Sequence, residues 1–74
     1  MNTLQKTTDK IGYDLMLKTQ PGVIQAINDD LDAGGTAKQI ERKLTRRFGR
    51  NCLTAQLAIG ATYYIESQRK GTGQ

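Results

Sequence analysis

The sequence predicts an all-α fold, a compact bundle of three to four short helices in a single domain spanning residues 1–74. Three observations carry that expectation. Pro21, the Gly34-Gly35 pair and Gly49 fall where helices need to start or stop. Thr36 and Gln39 have the Thr-x-x-Gln spacing of a capping box, in which each side chain satisfies a backbone N–H of the other residue at a helix start. Between these marks, apolar residues recur every three or four positions, the period of one helix face. With one Phe, three Tyr and no Trp, the core must come from Leu, Ile and Ala, a supply that suits helices.

The first helix is expected from about Thr8 to Lys18, with Thr7 or Thr8 as N-cap and Ile11, Leu15 and Met16 facing inward. Leu4, seven residues before Ile11, extends the same stripe, although residues 1–6 as a whole are expected to fray and Gly12 weakens the helix. Pro21 opens the second helix, because its missing N–H would find no helical partner at the first position, and Gly34-Gly35 closes it. Val23 or Ile24, then Ile27 and Leu31, form its inward stripe. Asp29, Asp30 and Asp32 lie in its last turns, where the negative end of the helix dipole disfavours each by about 0.3–1 kcal/mol. They read as a solvated acidic face, with pairing to the basic third helix of the same chain or of a neighbouring copy as the alternative.

The third helix runs from the capping box to Gly49. Ala37, Ile40, Leu44 and Phe48 recur on one face, and Lys38, Arg42, Lys43, Arg46 and Arg47 occupy roughly the other half of the cylinder. A fourth helix is expected to start after Asn51, its N-cap, and to reach about Gln68, with residues 69–74 frayed. Leu53, Leu57, Ala61 and Tyr64 make one stripe, while Ala58, Ile59 and Ile65 add apolar surface on other sides. Such a helix needs cover on more than one side, as the hub of the bundle or as an interface, and self-association into a homo-oligomer follows as an expectation. Ala55, Ala58, Gly60 and Ala61 are small enough for another helix to approach closely, which would offset the cost of about 1 kcal/mol for a glycine inside a helix.

The chemistry available to the chain is narrow. It has no His, and Cys52 is its only cysteine, so an intrachain disulfide is excluded and the usual zinc, haem and general-base sites lose their commonest ligand. Cys52 lies near a helix start with Arg50 close by, which would favour a thiolate, but no base partner accompanies it and a packing role is the simpler reading. The run Asn28-Asp29-Asp30-Leu31-Asp32 lacks the alternating oxygen ligands, central glycine and distal Glu of a calcium loop. No enzyme, no metal and no cofactor are expected. The N-terminal stretch lacks the apolar core of a secretion signal and no run approaches the roughly 20 apolar residues of a membrane span, so the expected setting is the cytoplasm without a membrane partner.

Net charge is +4, divided unevenly: residues 1–34 hold five acids and three bases, residues 35–74 eight bases and two acids. That asymmetry predicts an acidic macromolecular partner for the C-terminal half. The candidate binding face is Lys38, Arg42, Lys43, Arg46, Arg47 and Arg50, and the candidate apolar interface is Leu53, Leu57, Tyr63 and Tyr64. A helix-turn-helix fits in neither register. With the turn at Gly49, the reading helix presents Leu53, Leu57 and Gly60 where base edges need hydrogen bonds; with the turn at Gly34, an aspartate must face inward and three carboxylates approach phosphate. The sequence therefore predicts a small regulatory or inhibitory interaction module that binds a protein, with a DNA- or RNA-binding regulator using residues 37–48 as the alternative. Its size and lack of chemistry suit a protein of a phage or mobile element.

Overall fold

The computed structural model describes the backbone of residues 3–72 and the side chains of residues 7–70. Four helices follow one another: α1 (Thr3–Thr19), α2 (Pro21–Asp32), α3 (Ala37–Phe48) and α4 (Leu53–Thr72), with no strand among the described residues. The Leu4 side chain lies outside the described side chains, and the fraying expected of residues 1–6 and 69–74 falls on stretches whose described backbone, residues 3–6 and 69–72, is helical.

Local chemistry sets most of the helix ends. Gln20 alone separates α1 from α2, its backbone forced out of the helical region (φ −141°, ψ 68°) by the proline that follows. At the end of α2, Gly34 adopts φ +97°, its N–H donates to the Leu31 carbonyl at 3.1 Å, and the Gly35 N–H donates to the Asp30 carbonyl at 2.9 Å. This is a Schellman closure, which needs a residue without a side chain at the left-handed position. The capping box opens α3 as expected: the Gln39 N–H donates to Thr36 Oγ1 at 3.2 Å and the Thr36 N–H to Gln39 Oε1 at 3.1 Å. Three ends differ from expectation. Helix α1 starts at Thr3, so Thr7 and Thr8, the expected caps, lie inside it. Helix α4 starts one residue late for an Asn51 cap, because the Cys52 carbonyl accepts the Gln56 N–H at 3.1 Å and its thiol takes the Ala55 N–H. It also continues to Thr72, beyond Gln68, with Arg69 held against α2.

Helix α4 is the hub, touching all three other helices and packing most extensively on α1. Its buried face is Ala55, Ala58, Ala61, Thr62 and Ile65, not the expected stripe of Leu53, Leu57, Ala61 and Tyr64. The hydroxyl of fully buried Thr62 donates to the Ala58 carbonyl at 2.8 Å, so it costs no unmet hydrogen bond. Small side chains on that face let Ile24 and Ile27 of α2 and Ile40 and Leu44 of α3 reach a common core with Met16 of α1.

Helix α1 is rotated relative to expectation. Met16 is buried, but Ile11 and Leu15 are 53% and 42% exposed. The cause is Gly12, which lies so close to α4 that a Cβ there would stand 2.8 Å from the Leu57 carbonyl oxygen. Gly60 repeats the arrangement from the other side, with its absent Cβ 3.5 Å from the Asp9 Cα. Because Gly12 meets Leu57 and Asp9 meets Gly60, the two helices run antiparallel, and the glycine face of α1 turns inward while the Ile11–Leu15 face turns out. The residue that weakens α1 in isolation is the one that docks it.

These contacts separate two glycines of equal helix propensity. Gly12→Ala forces the Leu57 backbone to move and is expected to destabilise by about 1–3 kcal/mol. Gly22, whose Cβ would meet nothing within 4 Å, should gain about 0.4–1 kcal/mol as Ala. Thermal melts of the two variants check the pair: equal shifts would remove the close crossing.

Candidate interaction surface

All six cations of the expected binding face are exposed. Five project from α3 and Arg50 from the connection to α4, and they differ in what they touch. Lys43 Nζ lies 3.5 Å from Asp30 Oδ2 of α2, and the Arg47 guanidinium sits 5.0 Å over the Phe48 ring. Lys38, Arg42, Arg46 and Arg50 have no ion pair among the described residues. Lys38, Arg42 and Arg46 follow one another at four-residue intervals, a row of charges about 6 Å apart along α3.

The row stays uniformly cationic because the acids of the chain are engaged elsewhere. Of the three aspartates that end α2, Asp32 Oδ1 accepts from Arg69 Nη1 at 2.7 Å, Asp30 meets Lys43, and Asp29 accepts from Gln25 Nε2 at 3.0 Å. Arg69 Nη2 also reaches Asn28 Oδ1 at 2.9 Å. Two of the three acids expected to form a solvated face are thus answered within the chain, one of them by Arg69, which the sequence placed in a frayed tail. Exposed pairs of this kind contribute about 0–1 kcal/mol each, enough to orient α4 on α2 and little more.

Both acids of the basic half join α3 to α4, a role the sequence left unread. Glu66 Oε2 accepts the Ala37 N–H at 3.1 Å, a carboxylate from α4 placed at the positive end of the α3 dipole. Tyr63 donates its hydroxyl to Glu41 Oε1 at 2.6 Å. That charged acceptor, then partial burial and the negative charges of Glu41, Glu66 and Asp9, push the Tyr63 phenol up to about 12. The Cys52 thiol moves the other way: the Ala55 N–H favours its thiolate, burial opposes this, and hydrogen bonds from Thr54 favour the thiolate further.

Of the four apolar candidates, Leu53 stands 73% exposed, whereas Leu57, Tyr63 and Tyr64 are half-buried. Tyr64 packs its ring on Tyr13 with centroids 5.0 Å apart. All four nevertheless line one open groove of about 1060 Å³ running along α4 beside α1. A second, polar depression of about 300 Å³ lies at the α2–α3 turn beside Asp30 and Lys43. Among the described residues no cluster of His, Cys, Asp and Glu is arranged to hold a metal ion, and no helix is long and apolar enough to cross a membrane. No protein-family model, curated protein or solved structure matches the chain.

The Tyr63–Glu41 bond yields a pH-dependent expectation. A phenol whose pKa is raised on folding stabilises the fold below its ordinary value near 10, and that contribution disappears as pH climbs from 10 to about 12. Tyrosinate absorbance should show a phenol titrating near 12 that is missing from Tyr63→Phe, and the variant should lose about 1 kcal/mol at neutral pH. Loss from Tyr63→Phe of a phenol titrating near 10, with none near 12 in the wild type, would show that the bond is not made in solution.

Proposed function

We propose that this chain is a non-enzymatic interaction module that regulates or inhibits a partner protein by docking on an acidic surface through the outer face of α3. One observation carries the reading: Lys38, Arg42, Arg46 and Arg50 are exposed and lack an acidic partner among the described residues, although the fold brings acids to the neighbouring cations Lys43 and Arg69. Exposed Leu53 follows Arg50 by three residues, so charge and apolar surface meet at the α3–α4 connection, a mixture suited to a protein interface. A nucleic acid is the second reading, favoured by the row of cations at four-residue spacing but opposed by the α2 carboxylate that meets Lys43 on the other edge of the same helix.

Changing Arg42, Arg46 and Arg47 together to Gln tests the reading, since surface substitutions alter stability by only about ±0.5 kcal/mol each. The variant should melt close to the wild type and lose binding to a fluorescent poly-glutamate peptide, with the larger loss at low salt where screening is weakest. Undiminished peptide binding by a folded variant would reduce the basic face to a solvated one. Tighter binding to a DNA duplex than to the peptide, with a steep salt dependence, would transfer the function to the second reading.

A further inference from the structure

The groove is lined by α1 and α4, and it meets the edge of α3 through Tyr63. Leu53, Gln56, Ile59, Tyr63 and Ser67 line the groove along the outer side of α4, and Gly60 lines it where α1 packs. From Leu53 to Lys70 it runs about 25 Å at the rise of a helix. Open along that length and about 1060 Å³ in volume, the groove has room for a length of chain. The α3 side of this surface is fixed by Tyr63, which lines the groove and bonds Glu41. Counting about 100° per residue around α3, Glu41 is at the edge of the buried face, and Thr45, Lys38 and Arg42 come next beyond it. Lys43 lies on the opposite edge, where it meets Asp30 of α2. Of the α3 cations without an ion pair among the described residues, Lys38 and Arg42 lie toward the groove side, whereas Arg47, over the Phe48 ring, lies on the Lys43 side.

We propose that the groove and the Lys38–Arg42–Arg46 row form one docking site, and that its occupant is an amphipathic helix of another protein with an acidic flank. The inference rests on the acidic-partner reading above and specifies the form of that partner. An apolar stripe of the occupant covers Leu53, Ile59 and Tyr63, while its acidic flank faces α3, the helix-in-groove mode of recognition. Charge complementarity selects the flank. On the groove walls themselves, Lys10 and Lys70 stand with Asp9 and Glu66, so the signs balance there and the α3 edge decides. A second copy of the chain does not supply such a helix. Its acidic helix α2 buries Ile24 and Ile27 in its own core, and its exposed α1 face of Ile11 and Leu15 is accompanied by Lys10 and Lys18 against Asp14. A nucleic acid would leave Leu53 and Ile59 facing groups that need hydrogen bonds.

The test uses the full ¹⁵N-labelled chain and two designed amphipathic peptides that share a Leu/Ala face, one flanked by Glu and one by Lys. The Glu peptide should shift the amide resonances of Leu53, Ile59 and Tyr63 together with Lys38 and Arg42, and at low salt bind at least about tenfold more tightly than the Lys peptide. Leu53→Asp, an exposed change at the first position of α4 where an acid suits the helix dipole, should weaken the Glu peptide about tenfold without lowering the melting temperature. Arg42→Glu should weaken the Glu peptide and strengthen the Lys peptide, a reversal that loss of folding does not produce. Shifts confined to α3 would overturn the groove proposal and leave the acidic-partner reading standing; absence of shifts with both peptides would overturn both. A doubled mass of the free chain with broadened groove resonances would assign the groove to a second copy. Displacement of the Glu peptide by an equimolar DNA duplex would assign the cationic row to nucleic acid, and either result overturns the proposal.

Discussion

The close approach of helix backbones to α4 is the constraint on which the rest of this protein depends. Ala55, Ala58 and Ala61 are fully buried, and Gly12 and Gly60 remove the side chains that would hold α1 away. A chain of 74 residues has little core to offer, and small domains are marginal for that reason. Packing three helices around one narrow helix draws Met16, Ile24, Ile27, Ile40 and Leu44 into a single cluster. The cost is carried by α1, whose Ile11 and Leu15 are left facing water.

The same packing divides the charges. Carboxylates sit where helices meet: Asp30 and Asp32 at the end of α2, Glu41 and Glu66 between α3 and α4. What remains on the outside of α3 is a row of cations whose field is little offset by neighbours. The basic segment and the apolar segment that follow each other in sequence are joined in the fold, α4 positioning α3 through Tyr63 and Glu66.

How much of this is legible in the sequence depends on how local the determining interaction is. Pro21, the Gly34-Gly35 closure and the Thr36–Gln39 box act within a few residues, so three of the helix boundaries follow from them directly. The cationic face of α3 is equally local, since a repeat at helical spacing with one apolar stripe leaves only one arrangement. The rotation of α1 is not local: Ile11 and Leu15 make the better stripe on paper, and only the Gly12–Leu57 contact, 45 positions apart, turns them out. On α4 apolar residues lie all around the helix, so periodicity could not separate Ala55, Ala58 and Ile65, which are buried, from Leu53, which is not. The link from Tyr63 to Glu41 spans 22 residues and the anchoring of Arg69 spans 37, and neither has a signature in the nearby sequence.

Native-state hydrogen exchange tests the central claim, that α4 organises the bundle, most directly. Amides of Ala58 to Ile65 should be the slowest to exchange, opening only with global unfolding, while those of α1 near Ile11 exchange earlier through local opening. Faster exchange in Ala58 to Ile65 than in α3 would contradict the account, because it would show α3 folded without the helix on which its position is said to depend.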